Sequence, residues 1–474
     1  MSIIKSSSLH RIYALLGLLF VLNPTIAVEI LRMEWINDRD GLSQNTVRCI
    51  MQDNKGFMWF GTINGLNRYN GKEFIVMLPQ TGNFASLPDN RIRSLQEDKH
   101  GYIWIRTTNN VFCCYDPRLE RFVDYDPTNQ QKSFTHIAQF SNGDVWLWGA
   151  SDGCCRISND GKKLRAQRFG ETELGSPSVH FVYEDALQQT WIGSRSGLFR
   201  IDNNQALKIS SEFFSSIHET PDGLYLISDQ HLTYFNNKQQ TFGQPIAYPG
   251  GQTIMLNMAT LLDNGLILIA TKEELIAFDS QQKIFIPAAT LFQNEIVRNA
   301  TFYTDNKGNK WVYNISGSVW RNFPDNHFEK INLIPADILT AIDAERYEIY
   351  HDSHNIIWIT TYGNGLFALD QNNGQTYHYT TDNSDLPTDY LLCVTEDRLG
   401  EIWVGTEFSG ISKISLNNYP VKILYPASDE RSPRKNAVRL IYEDRQGRFW
   451  IGTRTGYLHI YDASFIKLKS HKID

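Results

Sequence analysis

The sequence predicts an all-β fold: a β-propeller with a seven-bladed ring, followed by an incomplete second propeller of about three blades. Three observations carry that expectation. The chain repeats itself with a period of about 43 residues, the length of one four-stranded propeller blade. Eight of the eleven Trp occupy one position of the repeat: Trp59, Trp104, Trp146, Trp191, Trp311, Trp358, Trp403 and Trp450. Most copies also place an Asp-led turn shortly before that Trp, as in Asp53-Asn54-Lys55-Gly56 and Asp444-Arg445-Gln446-Gly447. Two weaker copies, centred on Tyr225 and Ile267, fill the interval after Trp191, so that successive copies stand 34 to 47 residues apart.

The chain begins with Lys5, His10 and Arg11, an apolar run over residues 12–22, and then Thr25-Ile26-Ala27. Charge, apolar core and small-residue end follow the order of a secretory signal, so residues 1–27 are read as a signal peptide cleaved after Ala27. The run is well short of the about 20 residues that span a bilayer. The remainder is expected to be periplasmic or secreted.

The first repeat shows how each element arises. Residues 47–52 form a β-branched and apolar strand, ended where Asp53 starts a turn and Gly56 takes its left-handed position. Residues 57–61 form the strand that carries Trp59. A turn through Asn64-Gly65 leads to a strand over 66–69, and a fourth strand over 72–77 completes the sheet. Such a sheet cannot bury either face alone, so neighbours must stack about an axis, and the Trp is the natural wedge between them. With ten copies, the expected division is a seven-bladed propeller over residues 28–340 and a partial second propeller of three blades over 341–474. Residues 31–36 precede the first repeat and read as an orphan outer strand able to close a ring.

Composition narrows the function. Lys plus Arg total 45 against 52 Asp plus Glu, a net charge of −7, which gives no basic surplus to neutralise a nucleic-acid backbone. Hydrophobic residues at 42% and charged residues at 20% support a large core rather than disorder. The six cysteines fit no zinc spacing, and Cys113-Cys114 and Cys154-Cys155 read as strand positions with one member of each pair buried. A disulfide between the two pairs remains open at this level.

The phrases Gly41-Leu42-Ser43-Gln44-Asn45-Thr46-Val47, Gly56-Phe57-Met58-Trp59-Phe60-Gly61-Thr62, Asn64-Gly65-Leu66-Asn67-Arg68-Tyr69 and Glu443-Asp444-Arg445-Gln446-Gly447-Arg448-Phe449-Trp450-Ile451-Gly452-Thr453 resemble two-component regulator propeller repeats. Those repeats form the periplasmic sensor half of hybrid two-component systems in glycan-degrading Gram-negative bacteria. There, two propellers precede an immunoglobulin-like domain, a membrane helix, a histidine kinase and a response regulator. The resemblance implies a non-catalytic sensor region truncated before its kinase, with an oligosaccharide or other small periplasmic ligand as partner and a homodimer in the full-length context. Rival readings are a secreted lyase-like propeller enzyme and a propeller adhesin or scaffold.

No enzyme motif is present: HExxH, G-x-S-x-G and the P-loop are all missing, so no catalytic residue, metal ligand or cofactor is expected. The repeated Asp53, Asp98, Asp185, Asp305, Asp352, Asp397 and Asp444 read as turn initiators rather than calcium ligands. Propellers gather loops on one rim around the axis. The ligand candidates there are Asn45, Asn64, Asn90, Arg91, Arg106, Trp148 and Arg195, since amides and guanidinium groups suit sugar hydroxyl and acid groups and an exposed aromatic can stack on a sugar face. Arg48, Arg93 and Arg439 hold equivalent inner-strand positions and read either as a positive channel lining or as partners of nearby carboxylates.

Overall fold

The computed structural model describes residues 32–80, 86–125, 132–161, 163–252, 254–314, 318–323, 327–331, 348–416, 426, 435–463 and 465–473. The signal-peptide residues and the expected boundary at 340 lie outside these. Ten antiparallel sheets succeed one another, within residues 47–77, 92–123, 136–169, 179–210, 216–247, 254–286, 300–330, 348–379, 391–415 and 438–472, numbered here as blades 1 to 10. In blade 1 the strands are Val47–Gln52, Met58–Thr62, Gly65–Tyr69 and Phe74–Met77, innermost to outermost and within two residues of the expected bounds. Blade 5 carries an additional short strand, Ile246–Ala247, paired to His231–Asn236.

Blade 9 takes three strands from its own repeat and its outer strand from the start of the chain. Arg32–Ile36 pairs antiparallel with Ile411–Ser415, from Arg32 opposite Ser415 to Ile36 opposite Ile411. The orphan strand therefore closes blade 9 onto blade 1. The hydrophobic core follows this connectivity. Each seam between neighbouring blades holds its own buried cluster, and the last joins Ile36, Cys393, Trp403 and Ile411 to Leu42, Val47, Met58 and Phe60. Nine blades thus form one closed ring. The seven-plus-three partition does not match this: blades 7 and 8 share a cluster in which Trp311 and Val319 pack on Ile349, Ile357 and Phe367. How many blades close a ring depends on the small rotation at each seam, which the repeat period does not encode.

Blade 10 stands in a second compact unit, Asn417–Asp474, the first being Met1–Leu416. Every residue of its inner strand Val438–Glu443 is exposed. Limited proteolysis is accordingly expected to accumulate a fragment ending near Leu416. Accumulation of a fragment ending near 340 instead would contradict the nine-bladed closure.

Trp59, Trp104, Trp146, Trp191, Trp311, Trp358 and Trp403 each lie in the cluster shared with the following blade, and all seven are buried. In blade 5 Tyr225 takes that place. In blade 6 the wedge is Leu268, not Ile267: Leu268 opposes Thr260 as Trp59 opposes Met51, and it packs toward blade 7 while Ile267 points back toward blade 5.

The turn Asp has a second task beyond starting the turn. In blade 1, Asp53 Oδ1 accepts the Lys55 and Phe57 N–H groups, while Oδ2 accepts the Trp59 indole N–H at 2.8 Å. The same indole bond spans 2.8–3.0 Å for Trp104, Trp191, Trp311, Trp358, Trp403 and Trp450. A hydrogen bond to a charged acceptor contributes about 1.5–3 kcal/mol, so one residue fixes both the turn and the wedge. Where Asp gives way to Thr220 or Leu262, the Trp is replaced too.

A second device ties the blades together at the same end. At six of the nine seams the residue before the Asp position accepts the backbone N–H one residue beyond the Asp position of the preceding blade. Asn54 donates to Glu97 at 2.8 Å, Lys99 to Gln139 at 2.9 Å, Ser141 to Glu184 at 2.6 Å, Ala186 to Glu219 at 2.9 Å and Ser353 to Glu396 at 2.8 Å. Arg398 donates to Gln52 at 2.9 Å, which clasps blade 9 to blade 1. Between blades 7 and 8 the Asn306 side chain makes the link instead: its Nδ2 donates to the His351 carbonyl at 2.8 Å and its Oδ1 accepts the His351 N–H at 2.9 Å.

Candidate functional site

The loops opposite the Asp turns bring some of the expected ligand residues together. Asn90 Nδ2 donates to Asn64 Oδ1 at 3.2 Å, joining the rims of blades 1 and 2. Arg91 is exposed, and its backbone N–H donates to Asp89 Oδ1. Arg195 is exposed on the rim of blade 4. Asn45 is structural instead: its Oδ1 accepts the Asp38 N–H at 2.9 Å and its carbonyl accepts the Gly410 N–H at 2.8 Å, pinning the ring closure.

Trp148 is not the exposed stacking surface expected of it. It is 9% exposed, lies in the blade 3–4 cluster beside Trp146, and is stacked against His136 with ring centroids 5.2 Å apart. Successive side chains of a strand alternate between faces, so a residue two beyond a wedge Trp points into the same seam. Aromatics sit elsewhere on this rim, where the half-buried Tyr362 and the exposed Tyr390 and Phe408 contact edge to face at 5.1 and 5.7 Å.

The position two beyond the wedge also explains Arg106. In blades 1 and 4 that residue is glycine, because a Cβ on Gly61 would lie 2.4 Å from Cys49 Sγ and one on Gly193 2.1 Å from Phe181. In blade 2 the facing residue is the small Ser94, which leaves room for the arginine. The Arg106 guanidinium donates to the Thr135 carbonyl of blade 3.

Arg48 and Arg93 each stand at a register shift, between Val47 and Cys49 and between Ile92 and Ser94. Such bulges re-aim a side chain, and both arginines are exposed. Neither forms an ion pair among the described residues. Arg439, at the matching shift in blade 10, is exposed as well. Blades 1 to 4 therefore carry a cationic arc of Arg48, Arg93, Arg106 and Arg195. Its field is legible in neighbouring groups. Burial and then Arg93 lower the pKa of Arg106. Burial and then Arg106 lower His136, and burial and then Arg195 lower His180.

Among the described residues, no group of three or more His, Cys, Asp or Glu is placed to hold a metal ion. The six cysteines are free thiols. No helix there is long and apolar enough to cross a membrane.

With this geometry in place, the repeat can be compared with known ones. Three of its copies, residues 41–64, 86–109 and 432–455, match the two component regulator propeller. No curated protein matches the chain. Among solved structures, the extracellular domain of a hybrid two component system from B. thetaiotaomicron is 19% identical over 93% of this chain and 66% of its own, with a TM-score of 0.36. The present chain thus spans just under two thirds of that structure. A second extracellular domain from the same organism, described as a one component system, is 18% identical over 94% of this chain and 74% of its own, with a TM-score of 0.34. Virginiamycin B lyase from Staphylococcus aureus is 14% identical over 81% of this chain and 99% of its own, with a TM-score of 0.40.

Proposed function

We propose that this chain is the ligand-sensing propeller of an exported two-component sensor, and that the rim of blades 1 to 4 binds an acidic oligosaccharide. The cationic arc supports the reading most directly: Arg48, Arg93, Arg106 and Arg195 present guanidinium groups, and Asn64 and Asn90 add amides suited to hydroxyl groups. The role is binding rather than turnover, and in a full-length sensor the bound state would bias a dimer read by a kinase. A ligand achieves this only through its differential affinity for the two states.

Calorimetry on the exported chain with a sulfated or uronate-containing oligosaccharide tests the site. Arg93→Ala and Arg195→Ala are each expected to weaken binding at least about 10-fold, since a charge-assisted hydrogen bond contributes about 1.5–3 kcal/mol, and affinity should fall with added salt. Unchanged affinity in both variants would remove the rim from the mechanism. Release of a cleaved product would replace the sensor with the lyase-like reading.

A further inference from the structure

The inter-blade clasp fails at two adjoining seams, and a cavity of about 450 Å³ lies there. At the blade 5–6 seam the donor position is Pro221, which has no N–H, and the facing acceptor position is Leu261. At the blade 6–7 seam Thr304 stands at the acceptor position, and its hydroxyl accepts from Lys310 at 3.1 Å instead. Blades 5 and 6 are also the two without a wedge Trp. Two separate rules of the repeat, the clasp and the wedge Trp, are broken at one place. Local departures from an otherwise consistent pattern concentrate at functional sites.

The lining joins apolar and polar groups: Pro221, Leu261 and Leu262 against His218, Thr260 and Lys310. Among the described residues Lys310 Nζ has no ion-pair partner; Thr304 is its hydrogen-bond partner, which engages one of the three ammonium N–H groups. His218 holds Ser216 at 3.3 Å through Nε2, which leaves Nδ1 for a ligand. Burial, and then Lys310, push the His218 imidazole down to about 4. Two carboxylates border the cavity. Glu219 is turned to blade 4, where it accepts from Tyr183 and Ala186. Asp263 is exposed at the margin, where solvent screens it. The unpaired ammonium beside a neutral imidazole is the chemistry that receives one carboxylate, with Leu261 and Leu262 to cover the ligand's apolar part.

We infer that the cavity between blades 5, 6 and 7 is a second binding site, for a carboxylate-bearing molecule of about monosaccharide size held by Lys310 and His218. The site faces the Asp-turn end of the strands and is independent of the arginine rim. Its carboxylate could belong to a sugar acid or to a simple organic acid, and the titration separates the two.

The test is calorimetry on the exported chain with glucuronate, glucose and acetate at pH 5.5, in buffers of different ionisation enthalpy. Glucuronate is expected to bind, with uptake of a proton fraction as the anion raises the His218 pKa, and Lys310→Met is expected to weaken it at least 10-fold. Acetate binding as well as glucuronate would assign the site to organic acids and keep the carboxylate requirement. Pro221→Ala combined with Leu261→Glu rebuilds the clasp found at the other seams. That double variant should fold with at least native stability and lose binding. Equal binding of glucose and glucuronate, absence of binding by both carboxylates, or full affinity in both Lys310→Met and the rebuilt variant would overturn the assignment.

Discussion

Trp104→Ala is expected to destabilise the nine-bladed unit by about 3–5 kcal/mol, the range for emptying a buried aromatic site. The Trp104 ring is 1% exposed and fills the blade 2–3 cluster with Cys114, Phe134, Val145, Leu147 and Cys155. Its ring centroid is 5.3 Å from that of Tyr125. Two losses add. The cavity cannot collapse easily, because its walls are strands fixed by their own ladders on both sides. Asp98 Oδ2 also loses the indole N–H that it accepts at 2.9 Å and is left in a buried position. Trp450→Ala supplies the contrast, since Trp450 makes the same bond to Asp444 but belongs to no seam cluster of the nine-bladed unit. Urea unfolding of the two variants should show a large loss of midpoint for the first and almost none in the main transition for the second. Equal effects would mean that the Trp stabilises its own blade rather than the seam.

The reach of the sequence follows from which interactions are local. Asp53 and Trp59 are six residues apart and belong to one hairpin, so their pairing recurs at fixed spacing and makes the repeat readable. The blade 6 wedge is Leu268 rather than the expected Ile267 because the two are both aliphatic, and only the strand register separates the seam that each faces. The partner of Arg32–Ile36 lies nearly 380 residues away, and nothing near either strand marks the other. Trp148 was legible in principle, because its spacing from Trp146 already placed it in the seam. The clasp was less accessible: its acceptor is Glu, Gln or His-linked Asn, its donor is a backbone N–H, and its absence shows only as a proline facing a leucine.

Glu348 offers a pH-dependent effect of comparable size. It occupies in blade 8 the inner-strand place held by Cys49, Ser94 and Cys393 in blades 1, 2 and 9, opposite Thr360. Its carboxylate accepts the Val394 N–H across the seam at 3.2 Å. Burial raises its pKa from 4.5 to about 7 against that bond. The titratable groups around it include Cys49, Cys393 and Tyr303, all pushed upward by burial and then by Glu348, while Arg106 and Arg48 act on Cys49 in the opposite sense. A carboxyl raised on folding favours the protonated native state. Its contribution is therefore complete below pH 4.5 and is lost as the pH rises through about 7. Glu348→Gln keeps an oxygen for the Val394 N–H and removes the titration. The variant should match the native chain at pH 4.5 and exceed it by about 2–3 kcal/mol at pH 8, since each pKa unit corresponds to about 1.4 kcal/mol before allowance for solvent screening. Urea midpoints measured at pH 4.5, 6 and 8 read this directly. A constant difference across the three would show that Glu348 remains ionised throughout, held by a charge it does not share with Cys49 and Cys393.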